Sequence, residues 1–325
     1  MSTSVDATAQ PLPTAFGGQE SPDAEESLAI DAIPLRHWGR WISAAIIIFL
    51  LLALLWSLWH NPRVDIRYVG QTLLQPFVLR GVVVTIELTI IAMVIGVVGG
   101  VVLAVMRLSQ NPVLKAAAWG YIWFFRGTPI LVQILFWGFF GALYPTIFLG
   151  IPFTGIVFGS AATGRLYGAF VAAILALGLN EAAYAAELVR AGIISVDRGQ
   201  YEAAHSLGMS GGLTMRLVVL PQAMRVIIPP MGNETISMIK MTSLVSVISG
   251  TDLMTNIQQA YAQNFKTIPL LLVACIWYLF LTSIMSVGQY YLERHFGRGF
   301  GQKEAEAAEK RAERRVIKRA QVHNA

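Results

Sequence analysis

Long apolar runs alternate with short polar stretches along most of this 325-residue chain. Each run comes close to the roughly 20 residues that a helix needs to cross a hydrocarbon core. The pattern predicts six membrane-spanning helices, over about 42–59, 82–106, 122–144, 166–189, 226–249 and 268–291. The fifth run carries Pro229, Pro230 and Lys240 and is the least clean of the six. The first contains no Asp, Glu, Lys or Arg and is set apart by the polar stretch Asn61 to Arg80, so it reads as an added, lipid-facing anchor. The working core is then the five later spans. The fold class expected is all-α, a polytopic helical membrane protein; a transmembrane barrel would show alternating segments of about ten residues instead.

Composition agrees. The chain is 55% hydrophobic and 13% charged, with a mean hydropathy of +0.58. A soluble domain carries about 25% charged residues. Charge placement sets the orientation. With the N-terminus in the cytoplasm, the inner side receives Arg36, Arg40, Arg107, Lys115, Arg190, Arg198, Arg216, Arg225, Arg294, Arg298 and a basic tail. Arg126 lies closer to that side too. The outer side receives only Arg63, Arg67, Arg80, Arg165 and Lys266. The positive-inside rule therefore places both termini in the cytoplasm. Residues 1–35 hold six acidic residues and no Lys or Arg, with no apolar core of a signal peptide, and read as a disordered arm. Within the charged tail 297–325, Lys303 to Ala325 mixes Lys and Arg with Glu at helical spacing and reads as a solvated helix, or as a contact with anionic lipid. Cys275, the single cysteine, sits in an apolar run as a packing residue.

One inward loop stands out, Glu202 to Pro221, reading EAAHSLGMSGGLTMRLVVLP. Glu202-Ala203-Ala204 starts a short helix of small residues, which another protein could approach closely. Gly208 can take the left-handed conformation that ends it. Leu220-Pro221 restarts a helix, with proline tolerated in the first turn. By these residues alone the loop is either an ordinary amphipathic helix or a seat for a soluble partner.

The spacing of Glu202, Ala203, Ala204, Gly208, Val218, Leu220 and Pro221 resembles the EAA loop of ATP-binding-cassette importer permeases, with Val218 where isoleucine is commoner. Further segments are similar to the polar amino-acid branch of that family: Arg126-Gly127-Thr128-Pro129 followed by ILVQ, Asn180-Glu181-Ala182-Ala183-Tyr184 with Glu187, Gly199-Gln200 before the EAA, and Pro230-Met231-Gly232-Asn233 with Lys240, Thr242, Ser243 and Leu244. The branch often has proline at the position of Asp197, and many members lack the first span.

The resemblance implies a type I importer permease core of five spans plus one extra, within residues 68–296, behind an extra span and external linker over 36–67. It implies a coupling loop over 191–222 that seats in a groove of a separate ATPase through Gly199, Glu202, Ala203, Ala204, Gly208, Leu220 and Pro221. The implied partners are ATPase subunits that use ATP and Mg, a second permease copy or homologue, an extracytoplasmic substrate-binding protein and a polar amino acid, in a bacterial inner membrane. No cofactor is expected in this chain.

Polar residues at membrane depth are the candidates for a substrate path. Asn180, Tyr184 and Glu187 fall at i, i+4 and i+7 and share one helix face, with Glu181 beside it. Asn233, Ser237 and Lys240 repeat the spacing, Ser243 extends the stripe and Glu234 lies alongside. A charge at mid-bilayer costs at least about 2.5–3.5 kcal/mol, so these residues face a bundle interior, a water path or each other. Glu181 or Glu234 could accept an amino acid's ammonium and Lys240 could donate to its carboxylate; helix-to-helix hydrogen bonding explains the same residues without a ligand. Glu187 and Lys240 lie nearest the membrane faces. Thr128 is expected to cap a helix beginning at Pro129, with Arg126 as an anchoring charge or a contact in a gate or dimer seam. The Gly96-to-Gly100 step suits close packing, within the chain or between subunits.

There is no GxxxxGK[ST] phosphate loop, no HExxH, no GxSxG and no Cys/His metal set. His37, His60, His205, His295 and His323 all lie outside the spans or at their edges. Enzyme chemistry and nucleic-acid binding are not expected. A self-sufficient secondary transporter would show an internal repeat, and spans two and six do not mirror spans four and five.

Overall fold

The computed structural model describes residues 38–151 and 157–296; the N-terminal arm and the charged tail read from the sequence lie outside them. The chain divides at His60/Asn61 into two compact units. In the first, α1 (Trp38–Trp59) buries no residue at all. Trp38 and Trp41 mark one end and Trp56 and Trp59 the other, the aromatic pattern of a membrane-spanning helix.

The second unit begins with α2 (Ile66–Thr72) and the 33-residue α3 (Pro76–Leu108). Two shorter helices follow, α4 (Pro112–Gly127) and α5 (Ile130–Gly138), with a last turn α6 (Phe140–Leu143). An antiparallel hairpin, β1 (Thr146–Gly150) and β2 (Val157–Ala162), leads through α7 (Thr163–Leu166) into α8 (Ala169–Ile194). Then come α9 (Arg198–Ser206), α10 (Gly211–Thr214), a π-helical turn Met215–Val219 and α11 (Leu220–Met241). A 3₁₀ stretch Thr242–Ile248, α12 (Leu253–Asn264) and α13 (Thr267–Phe296) complete the unit.

Among the described residues, five stretches are long and apolar enough to cross a membrane: Trp38–Trp59, Pro76–Leu108, Ala169–Ile194, Gly211–Ile248 and Thr267–Phe296. The expected span 122–144 is not one of them. It is broken at Thr128–Pro129 into α4 and α5, because a residue before proline is driven out of the α region and the helix must stop there; Thr128 adopts φ −109°, ψ 141°.

The broken segment still crosses. Gly96 of α3 lies against Glu181 of α8, and Gly100 against Ala185, so the two helices run in the same direction. At one end Leu88 and Ala92 share a core with Ala173 and Leu177; at the other Ala104 packs with Val189. Two parallel membrane helices in one chain need a return crossing between them, and α4 to α6 are the residues available. The same reasoning orders the rest. Gly192 meets Ala223 and Ile227, so α11 runs against α8; Gly232 meets Gln289, and Ile239 shares a core with Leu281, so α13 runs against α11. The second unit therefore passes back and forth five times. The loop between α8 and α11 sits at the same end as the C-termini of α3 and α13.

The α3–α8 seam is close because its residues are small. Lipid tails are as apolar as leucine, so close van der Waals contact, not water exclusion, holds such helices together. A Cβ on Gly100 would stand 2.5 Å from Ala185 Cβ and 2.9 Å from Ala186 N. One on Gly96 would overlap the Glu181 side chain. The glycine step is an intrachain packing device.

The opposite end is tied by polar contacts. Lys266 Nζ donates to Asp65 Oδ2 at 2.9 Å and lies 3.9 Å from the Tyr68 ring centroid. Asn264 donates to the Tyr68 hydroxyl, Trp277 Nε1 to Leu73 O, and Asn256 to Phe77 O. Buried Asp252 caps α12 by accepting from Met254 N and Thr255 N. The Lys266 ammonium, then the Tyr68 N–H, hold the Asp65 carboxyl below its ordinary range.

Gly100→Val should cost about 1–3 kcal/mol of stability by overpacking the seam, read as a lower midpoint in thermal unfolding of the detergent-solubilised protein. Because the Asp65 carboxyl is depressed in the folded state, its contact with Lys266 adds stability above the ordinary carboxylate range and loses it as pH falls through the depressed value. The difference in midpoint between wild type and Lys266→Gln should be present at neutral pH and shrink as pH falls below the ordinary carboxylate range.

Candidate functional site

The loop of interest forms a discrete helical knuckle. Asp197 accepts a hydrogen bond from Gly199 N at 2.7 Å and caps α9, which explains how an aspartate serves where the related branch often has proline: both start a helix. The helix therefore begins at Arg198, four residues before Glu202, and Glu202-Ala203-Ala204 lies in its middle. Its end is a Schellman cap. Gly208 has φ +76°, Gly208 N donates to His205 O at 2.9 Å and Met209 N to Ala204 O at 3.0 Å. Of the three EAA residues only Ala204 is buried; Glu202, Ala203 and Gly208 face solvent.

Leu207, next to Gly208, is 82% exposed. Sequence reasoning passed over it; a leucine inside a polar helix, immediately before its capping glycine, was the available signal. Leu220 is exposed and Pro221 occupies the first turn of α11. Pro221 has no N–H, and the turn before it opens to π geometry, Leu220 N bonding to Met215 O. The helices reach into the expected loop 191–222 from both ends, leaving 195–219 between them.

The second candidate group lies where α4 and α5 meet α8. Pro129 cannot donate to Phe125 O, the carbonyl four residues back. Asn180 Nδ2 approaches that oxygen at 3.1 Å and Gln133 Nε2 at 2.9 Å, and Asn180 also donates to Gln133 Oε1 at 3.2 Å. Gln133 Nε2 further reaches Thr128 Oγ1 at 2.8 Å. Both side chains are buried. Thr128 does not cap the next helix as expected. Its hydroxyl donates back to Phe124 O at 2.9 Å and closes α4, while Pro129 itself stands at the start of α5 without a side-chain cap. Gln133 was visible in the sequence only as part of ILVQ; a buried glutamine four residues after a proline is the mark of a mended break.

The Asn180, Tyr184, Glu187 face exists and meets α4. Tyr184 lies under Arg126, 5.1 Å from guanidinium carbon to ring centroid, and Glu187 pairs with Arg190 at 2.7 Å. Arg126 is exposed and partway along α8 instead of at its inner end. Glu181 is buried against Gly96, and its Oε1 has no hydrogen-bond partner among the described residues. The charges of Glu181 and Glu234 feel one another, and Glu234 feels Arg126. Arg126, Tyr184, Glu181 and Glu234 thus form one polar group.

Lys240 is not part of that group. It is exposed, lies six residues beyond Glu234, about 9 Å along a helix, and has no carboxylate partner among the described residues. Asn233 is exposed and Ser237 half-buried on the stripe that leads to it; beyond Met241 the backbone tightens to 3₁₀, so Ser243 leaves the line. Gln289, which the sequence reading missed, is buried at Gly232 and donates to Pro229 O at 2.6 Å and Glu293 Oε1 at 2.9 Å. A single amide inside the last apolar run was the only hint.

Parallel small-residue helices, a mended break and a capped knuckle at one end of the bundle define a five-pass helical membrane unit. The family comparison agrees: residues 96–298 match the model for the binding-protein-dependent transport system inner membrane component, and the chain belongs to that family. Among curated proteins it is 49% identical over 271 residues to the arginine transport system permease protein of Corynebacterium glutamicum, covering 83% of this chain and 84% of that one. It is 35% identical over 238 residues to the nopaline transport system permease protein of Agrobacterium fabrum, covering 72% and 95%. Among solved structures it resembles an amino acid ABC transporter crystallised with histidines, at 36% identity and TM-score 0.58, over 71% of this chain and 97% of that one. A methionine ABC transporter shares the fold at 20% identity and TM-score 0.52, over 68% and 96%.

Gln133→Leu should cost about 1–3 kcal/mol by leaving Phe125 O underserved. The cost should shrink in a Pro129→Ala background, where residue 129 regains an N–H. A double-mutant cycle on thermal unfolding in detergent measures that coupling.

Proposed function

We propose that this chain is the membrane subunit of an ATP-driven importer that brings a polar amino acid into the cytoplasm across a bacterial inner membrane, with both termini inside. The observation that carries the reading is the knuckle at α9. It is a short, capped helix at one end of the bundle, exposing Glu202, Ala203 and Leu207. Arg107, Lys115, Arg190, Arg198, Arg216, Arg225 and Arg294 gather at that end, which supports its being cytoplasmic. Leu207 is the natural knob for a groove in an ATPase subunit, with Gly199, Ala204, Gly208, Leu220 and Pro221 shaping the surface beneath it. Closure of that ATPase on ATP and Mg would push the knuckle and rock α8 and α11 together, since Gly192 packs on Ile227 beside the loop.

The amino-acid reading is supported by the names of the relatives and by the chemistry at mid-depth. Glu234 supplies an acceptor for an ammonium, with Asn180, Glu181 and Tyr184 holding the surrounding polar frame. Lys240, Ser237 and Asn233 line the approach from the outer side, and Glu187 the exit. At the outer end a recess of about 1080 Å³ is lined by Arg80, Glu87, Asn256, Gln259 and Gln263, donors and acceptors suited to receive a solute from an extracytoplasmic binding protein. A second copy or homologue would face this path, with Arg126, Thr128 and Pro129 near the seam.

Gly208→Val puts a β-branched residue at positive φ, a strain of roughly 1–2 kcal/mol. It should abolish ATP-driven uptake and weaken ATPase co-purification while the membrane domain keeps its unfolding midpoint within a few degrees. Reconstituted vesicles with and without the co-expressed ATPase test the whole reading: uptake that runs on an ion gradient with no ATPase present overturns it.

A further inference from the structure

A recess of about 470 Å³ opens beside the inner ends of α3 and α8, walled by α4; the importer reading uses Tyr184 and Glu187 on its wall and leaves its arginines without a ligand. Arg107 comes from the last turn of α3, Arg190 from the last turns of α8, and Arg126 from the end of α4. Glu187 is the single acid in the wall, and Arg190 already engages it through two nitrogens, at 2.7 and 3.1 Å. Among the described residues no ion pair engages Arg107 or Arg126. Neither guanidinium has an acid within ion-pair distance, Glu234 acting on Arg126 only from farther off.

Its rim is aromatic. Trp119 and Trp123 stack at 6.2 Å with an interplanar angle of 13°, and they are 53% and 66% exposed. Tryptophan on the outside of a membrane bundle sits at headgroup level, and α4 begins only a few residues after Arg107, so this rim adjoins the leaflet on the knuckle's side.

We infer that the recess binds a phosphate group, held by Arg107 and Arg126, and that an anionic phospholipid of the adjoining leaflet supplies it. Guanidinium is the side chain best shaped for phosphate, through paired N–H donors, and basic pockets between membrane helices on the cytoplasmic side suit anionic headgroups. The stacked indoles give the glycerol and upper acyl carbons an apolar wall, while Glu187, neutralised by Arg190, does not repel the anion. The occupant bridges α3, α4 and α8, and α4 and α8 are also joined at the Phe125 break. The inference does not depend on coupling to an ATPase.

The test uses the full-length chain purified in neutral detergent, titrated with phosphatidylglycerol or phosphatidylcholine and read by native mass spectrometry. Wild type should retain one phosphatidylglycerol in clear preference to phosphatidylcholine. Arg107→Gln should weaken that adduct about fivefold, and Arg107→Lys by less. Millimolar inorganic phosphate is the third arm: if it occupies the site while phosphatidylglycerol is not retained, the lipid assignment is overturned in favour of a soluble anion. Equal retention of the two lipids by wild type, or an unchanged adduct in folded Arg107→Gln, overturns the site. Should that variant not fold, Arg107→Lys carries the comparison: a weaker adduct than wild type supports the site and an unchanged one overturns it.

Discussion

Proline has no N–H to give, and the interior of a bilayer has no water to stand in for it. At Pro129 this constraint falls on one oxygen. Phe125 O loses its helical partner at membrane depth, and an unpaired carbonyl there costs several kcal/mol. Asn180 from α8 and Gln133 from α5 both turn toward it. The break thereby becomes a joint between three helices. It lets a short pair, α4 and α5, make the return pass between two long helices that run in parallel, and the passes that follow depend on that return.

The same joint explains the shape of the polar centre. With Asn180 committed to the break, Tyr184 one turn on meets Arg126 and Glu187 meets Arg190. Across the seam Gly96 leaves room for Glu181, whose carboxyl would otherwise meet a side chain. Glycine here serves proximity, placing a carboxylate between two helices where a larger residue would hold them apart. Membrane helices gain little from excluding one another's apolar surface from lipid, so a polar group in a close seam is among the few devices that can set their register.

Force and chemistry are kept apart along the bundle. The knuckle is rigid by local means: an Asp197 cap at one end and a left-handed Gly208 at the other make α9 a unit that moves as one body. It meets the bundle through Tyr201, which packs against the buried cluster that holds Val219, Ala223 and Ile227. The same cluster joins α8 and α11, the two helices that carry Glu181 and Glu234.

Five of the six expected spans and the end at which basic residues collect were legible in the sequence, because each follows from the cost of placing polar groups in hydrocarbon, which any residue pays wherever its neighbours lie. The end of α9 was legible at Gly208 because left-handed backbone favours glycine on its own account. Other features depended on partners distant along the chain. Thr128 looked like a cap and instead closes the preceding helix, since the residue before proline cannot stay helical. Lys240 looked like a member of the polar cluster, but periodicity places residues on a face and does not say how far along it the partners sit. Gln133, Gln289 and Leu207 acquired meaning only from what they touch or fail to touch. Hydropathy is a property of one segment and is written in that segment; which carbonyl needs a donor, and which seam has room for a carboxyl, is decided between segments, once the helices have come together.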